Sequence, residues 1–508
     1  MNAYSDTRWV GLRLRFAFVD PDAAAQAQAL SSAQEPYSQI GQVLDENEET
    51  TDKYATLEWN RWGLDDGYAI MPNSVSNVQT GWVCSTYSDE NGHFTEPPYL
   101  AFEFSTKQSS VGFTITFDKA ADERPSAFSI TTLAQDGTTI SYKRVVNPGT
   151  TATVQLPSTD YYKVVFTFEE TPLPYHRVRV CEVLFGIIEI FDENSIADGN
   201  LLYEIDPVAQ TLPSRKMDVK IDNSDRRFNL INPEGIYSYL QQPQGFTVTM
   251  GTGESKDSIE YVSMGDFYFA TAAADDSGLT AQISAYDWFF WMERGNYQNT
   301  ATGTWTLSNA VAAILASAGI TCDVKIESGK ESVLVNKNYT SMTHREALRL
   351  TVQAACCTAY FDRDGSLSIL SLSEQPVVDT IDNDRMEEPP KVSVNEAVNT
   401  VILSVPQIEG DELTFTASNK SDGELPQVKT ITNSQVVAAN GQAVANWLLN
   451  SLSSGLTYRT KERGNPKTKL TDTIKIYDYY NVNRNAVVIM QDFKYDGGLS
   501  AESKAVTM

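Results

Sequence analysis

The sequence predicts a mainly β protein with an α+β insert. Alternating apolar and polar residues recur in short runs along most of the 508 residues, the period-2 signature of half-buried strands. Turn-forming pairs such as Asn91-Gly92 and Asp136-Gly137 punctuate those runs. Clear helical periodicity is confined to two places, 307–357 and about 442–452.

Taken in order, Leu12, Leu14, Phe16 and Phe18 alternate with Arg13, Arg15 and Ala17 and form the first strand. Residues 23–51 are rich in Ala, Gln, Ser and acidic residues and lack a clear period. They read as a long excursion or linker, with a short helix in the Ala-Gln part. From 54 to 190 short strands follow one another, such as Val111, Phe113, Ile115, Phe117 and then Tyr162, Val164, Phe166, Phe168. Turns at Asp65-Asp66-Gly67, Asn91-Gly92, Asp136-Gly137 and Asn147-Pro148-Gly149 separate them. This spacing, with no helix of any length, is that of a jelly-roll β-sandwich.

A second β region presents Met217, Val219 and Ile221 on one face, then Phe246, Val248 and Met250, then Leu279, Ala281, Ile283 and Ala285. Leu307, Ala310, Val311, Ile314 and Leu315 then fall on one helical face, with Thr306 as N-cap and Gly319 as stop. Thr343-His344-Arg345-Glu346 reads as a capping box opening a second helix that runs to about Cys357, which places His344 at the surface. Two short strands follow around Asp364-Gly365. The acidic, Pro-ended segment 379–390 reads as a linker. Strands return at 397–405 and 413–417, a third helix at 442–452 turns Val444, Trp447 and Leu448 inward, and strands at 474–477 and 486–493 close the pattern.

Composition narrows the function classes. Hydrophobic content of 41% supports a sizeable core, and the length suits three or four domains. With 66 acidic against 39 basic residues the net charge is −27, which disfavours direct nucleic-acid binding, since that needs clustered Lys and Arg. No apolar run reaches the roughly 18 residues of a membrane span, and the start, MNAYSDTRW, does not have the form of a signal peptide, so folding in a cytosol is expected. Cys84, Cys181, Cys322, Cys356 and Cys357 are odd in number and form no C-x-x-C, so they read as small buried hydrophobes.

No enzyme signature stands out. His93, His176 and His344 are not spaced as metal ligands, and neither G-x-S-x-G nor a phosphate-cradling loop is present. Asp362-Arg363-Asp364-Gly365 starts like a calcium loop but lacks the third oxygen ligand and the closing Glu, so it reads as a turn. No catalytic residue, metal or cofactor is expected. The candidate site lies in the sandwich: Trp62, Asp65, Asp66, Trp82, Tyr87, Asp89, Glu90 and His93 mix aromatic rings with hydrogen-bonding groups near predicted loops. Sugars bind on such surfaces, with ring C–H faces against an aromatic and hydroxyls on carboxylates. The same Trp residues could equally be core and the charges a solvated turn.

Several segments resemble the hub proteins of phage baseplates and tail tips. They are 217–229 (MDVKIDNSDRRFN), 232–237 (NPEGIY), 264–269 (MGDFYF), 343–348 (THREAL), 360–369 (YFDRDGSLSI), 463–466 (RGNP), 470–476 (LTDTIKI) and 493–500 (FKYDGGLS), in the family's order. Segment 54–190 resembles a galactose-binding jelly roll through 57–65 (LEWNRWGLD) and Gly81-Trp82. The resemblance implies two tail-tube-like β-barrel domains, a small α/β domain and the β-sandwich. It divides the chain into 1–50 (first hub strand and linker), 51–190 (sandwich), 191–300 (first barrel), 301–390 (α/β) and 391–508 (second barrel with helix).

The implied role is mechanical: a homotrimeric, non-enzymatic virion protein closing the tail tube, since two tube-like barrels in each of three chains match a sixfold tube. Implied partners are the distal tail ring, tail tube, tape measure and tip fibre or spike proteins, with host surface polysaccharide as the sandwich's ligand. Alternatives are a hexameric distal-tail ring protein and, from another class, a polysaccharide-degrading enzyme.

Overall fold

These alternations become hydrogen-bonded ladders in a computed structural model, which describes residues 8–19, 21–44, 80–118, 123–224, 226, 228, 245–274, 279–394, 398–407, 410–453, 455–477, 480 and 483–508. The chain is mostly strand, with few helices, as the periodicity requires. It divides into two compact units, Phe16–Glu189 and Met1–Arg15 with Ile190–Met508.

The first unit is built on two long strands, Tyr99–Phe117 and Thr151–Glu170, paired antiparallel. Their register shifts between Glu103 and Gly112, and such bulges bend a strand pair. Arg179–Leu184, Ala127–Leu133 and Thr139–Val146 extend the sheet. Phe102, Phe113, Phe117, Phe128, Phe166 and Phe168 are buried together, so the core is largely aromatic. Phe113 meets Phe166 edge-on at 5.9 Å, and Trp82 stacks on Phe168 at 5.6 Å. Fully burying each such ring contributes about 1.5–3 kcal/mol.

The expected linker at 23–51 is, where described, part of this unit. Pro21–Gln26 is helical, Gln28–Ser31 pairs with 100–103, and Ile40–Leu44 is a 3-10 turn that buries Val43 in the core. Elements of four to six residues are too short to display a period, which is why the segment looked irregular.

In the second unit, Ile196–Glu204, Lys216–Asp222, Thr280–Tyr286, Glu260–Ala274 and Gly245–Gly253 lie side by side. A second group is Asn483–Tyr495, Leu499–Val506, Leu456–Glu462 and Met386–Val394, with Thr473–Tyr477 on the other flank of Asn483–Tyr495. The groups join directly: Ile196–Glu204 pairs with Asn483–Tyr495 from Gly199↔Tyr495 to Glu204↔Met490. The regions expected as two barrels thus share one continuous sheet, and among the described residues its pairing runs as an open path.

The segment expected as a linker at 379–390 is sheet instead. Val377–Ile381 pairs in parallel with Thr473–Tyr477, and Met386–Val394 pairs with Leu456–Glu462. Its charges have partners that the sequence does not reveal. The Arg385 guanidinium bonds Asp379 at 2.7 Å and Glu462 at 3.0 Å, in a buried network. Pro389 and Pro390 fall at a register shift of an edge strand, where no N–H is needed.

Helices Leu307–Ala318 and His344–Ala354 pack over the hairpin Thr358–Phe361 and Leu367–Leu370. Thr306 caps the first by accepting from the Asn309 N–H, and Gly319 ends it at φ 70°. Thr343 caps the second by accepting from the Glu346 N–H. The Glu346 carboxylate, expected to complete the box reciprocally, instead accepts from Arg349 at 2.6 and 2.7 Å. His344, expected at the surface, is only 6% exposed, with Nε2 3.0 Å from Ser317 Oγ. Thr400–Val405, Leu413–Ser418 and Val428–Thr432 form a sheet of their own against the helix Gly441–Ser453.

Candidate functional site

The sandwich gathers part of the sequence-predicted set into one loop cluster. Tyr87, Asp89, Glu90 and His93 lie on the loop 85–94, beside the loop 171–177. Asp89 shapes the first loop: its Oδ1 accepts the N–H groups of His93 and Asn91 at 2.9 and 2.8 Å, which holds the carboxyl below its usual range. Gly92, at φ +83°, lets the turn approach the Thr171 carbonyl, where a Cβ would collide. The Thr171 N–H then donates to the Gly92 carbonyl at 2.8 Å, and Thr171 Oγ1 bonds Ser88 Oγ at 2.7 Å. His93 Nδ1 lies 3.7 Å from the Glu170 carboxylate.

Tyr87 is 44% exposed, with the Arg177 guanidinium 5.1 Å from its ring centre. Arg177 is held by Glu35 at 2.7 Å and the Tyr37 hydroxyl at 3.2 Å. Leu173 and Tyr175 on the neighbouring loop are exposed as well. Sequence reasoning missed these two and Arg177, because 171–177 carries no motif; the Tyr beside Pro174 was the only available signal. The cluster offers phenol faces beside fixed polar groups, which suits a sugar ring.

The remaining predicted residues stand elsewhere. Trp82 is 0% exposed and stacked on Phe168, so it has no free face for a ligand; it is core. Trp62, Asp65 and Asp66 lie outside the described residues.

The second unit holds a different constellation, centred on the turn at Asp362–Gly365. Arg363 donates from Nη1 to the Pro466 carbonyl and from Nη2 to the Thr468 carbonyl at 2.7 Å. Arg215 donates to the carbonyls of Asp362 and Asp266 at 3.2 and 3.4 Å, with Asp287 3.4 Å from its Nε. Both guanidiniums face the Tyr203 ring, at 5.2 and 5.8 Å, and the Tyr203 hydroxyl donates to the Met264 carbonyl. Gly265 is required here: at φ +98° a Cβ would stand 2.6 Å from Arg215 Nη1. Burial pushes the Asp287 carboxyl up, against the pull of Arg215. Fixed cations on carbonyls and aromatic faces make a mechanical tie with no nucleophile–base pair. It fastens the helical insert to both strand groups, and it explains the Asp-Arg-Asp-Gly sequence as a turn.

Among the described residues no cluster of His, Cys, Asp or Glu is placed to hold a metal, and no helix is long and apolar enough to cross a membrane. Burial pushes the Cys84 and Cys357 thiols up to about 12.

No protein-family model and no curated protein matches the sequence. Solved structures similar to this chain include the tail protein from Neisseria meningitidis MC58, at 13% identity and a TM-score of 0.46 over 63% of this chain and 94% of that one. The 43 kDa tail protein of prophage MuSo2 from Shewanella oneidensis is similar at 12% identity and a TM-score of 0.42, over 62% and 93%. The family 32 CBM from C. perfringens NanJ, solved in complex with galactose, is similar at 12% identity and a TM-score of 0.22, over 34% and 99%.

Proposed function

We propose that this chain is a structural subunit of a phage-type tail: a baseplate or tail-tip hub that closes the tube and carries a sugar-binding sandwich. The observation that carries the reading is the ladder between Ile196–Glu204 and Asn483–Tyr495. It fuses two antiparallel strand groups into one sheet, and Arg363 keys the helical insert into that sheet. In this reading each of the two strand groups stands for one tube-like module, so that three chains supply six. Such a part works by burying interfaces with tail neighbours and needs no bond chemistry. Its place is the virion tail tip.

Negative-stain images of the purified chain are expected to give threefold particles; sixfold rings would replace the hub with a distal-tail ring. The sandwich's ligand is host surface polysaccharide, bound on Tyr87 and Tyr175 with Asp89, Glu90 and His93 nearby. A glycan array of bacterial wall polysaccharides, probed with the full chain, is expected to give binding that Tyr87→Ala weakens at least tenfold, as expected for loss of an aromatic binding anchor worth about 2 kcal/mol. No binding across the array would remove the sugar role and leave the hub untouched.

A further inference from the structure

A pocket of ≈ 280 Å³ lies in the second unit between the helix Gly441–Ser453 and the strand Leu499–Val506. Its walls include the buried Val208, Val398 and Ile489, and two half-buried lysines, Lys429 and Lys504. Among the described residues, neither ammonium has a carboxylate at ion-pair distance or a side-chain hydrogen bond. The nearby cations on this sheet behave differently. Arg459, cross-strand from Lys504, bonds Glu502 at 3.2 Å, while Lys391 and Lys461 share Glu388. The pocket's one carboxylate, Asp206, accepts the N–H groups of Val208 and Thr211.

In a chain of net charge −27, two lysines without an ion-pair partner line one partly apolar pocket that contains a single carboxylate, so its charge favours a further anion. An external carboxylate would relieve both charges. An adjoining pocket of ≈ 320 Å³ shares Pro207, Ser451 and Val506 and presents Trp447. Each is at the small end for a ligand site, with room for one or two side chains, and the pair suits an extended chain.

We propose that these joined pockets bind an extended acidic peptide segment of a partner protein, with a carboxylate between Lys429 and Lys504 and aliphatic or aromatic side chains on the apolar walls. The site is independent of the sugar-binding and hub readings. The test uses the full chain and a fluorescein-labelled peptide of three Leu-Glu repeats, read by fluorescence anisotropy at low salt. Saturable binding is expected, at least tenfold weaker for Lys429→Glu/Lys504→Glu and for a Leu-Gln peptide, as loss of charge complementarity predicts. Should the double variant fail to fold by circular dichroism, Lys504→Gln is read instead, with an expected loss of about threefold. Absence of saturable binding to the unaltered chain, or equal affinity for the variant or for the uncharged peptide, would overturn the proposal.

Discussion

The two units solve the problem of a rigid β protein in different ways. The sandwich is filled mainly by aromatic packing, with inward Phe side chains meeting edge-on, although it too buries guanidiniums, Arg177 on Glu35 and Arg179 on the Thr80 carbonyl. The other unit ties its parts with buried guanidiniums. Arg363 and Arg215 hold backbone carbonyls, and Arg385 sits between Asp379 and Glu462. Packing needs only size and pattern, whereas a buried cation demands every partner in place. The difference suits a sandwich that presents a surface and a scaffold that keeps several modules in fixed register.

Substitutions should separate the two solutions. Trp82→Ala leaves a cavity beneath Phe168 and is expected to cost the sandwich about 3–5 kcal/mol. Hydrogen exchange should accelerate across 99–184 and stay unchanged across 263–267 and 466–470. Arg363→Ala should do the reverse at about 2–4 kcal/mol, because the Pro466 and Thr468 carbonyls lose their donors in a buried place. Equal loosening of both regions by either variant would mean that the two units unfold as one.

A smaller effect follows from Glu462. Burial pushes its carboxyl from 4.5 up to about 6, more than Arg385 pulls it down. The folded state therefore holds this proton more tightly than the unfolded chain. Its contribution is fully present below pH 4.5 and is lost as pH rises through about 6, worth about 2 kcal/mol. Asp379, held below its usual range by Arg385 and its other hydrogen bonds against the opposing effect of burial, acts in the opposite sense at lower pH. Denaturant midpoints across pH 4–7 should show the fall in the unaltered chain and a flatter line in Glu462→Gln. Tyr87→Ala, by contrast, should move stability by less than about 0.5 kcal/mol, the ordinary range for an exposed side chain.

Legibility in the sequence followed the same division. Where one face of a strand or helix is buried, the period gives it away: Phe113 and Phe166, Val311 and Ile314, and Val444 and Leu448 are inside as expected. The pattern failed where long-range partners decide. Segment 379–390 looked like a solvated linker because its acids are matched by Arg385, Glu388's lysines and a proline-tolerant edge, none of them evident from local sequence. His344 looked exposed because Ser317, its partner, lies on another helix. At the candidate site, Asp89 and His93 were legible through the Asn-Gly turn between them, while Tyr175 and Arg177 come from a loop brought alongside only by the fold. Trp82 shows the limit of residue type alone, since a sugar platform and a core ring are the same side chain.

The hub reading stands most directly on the number of chains in the assembled particle. Light scattering coupled to size exclusion should give three times the 56.2 kDa chain mass. Six times that mass would contradict the hub and identify a ring in its place.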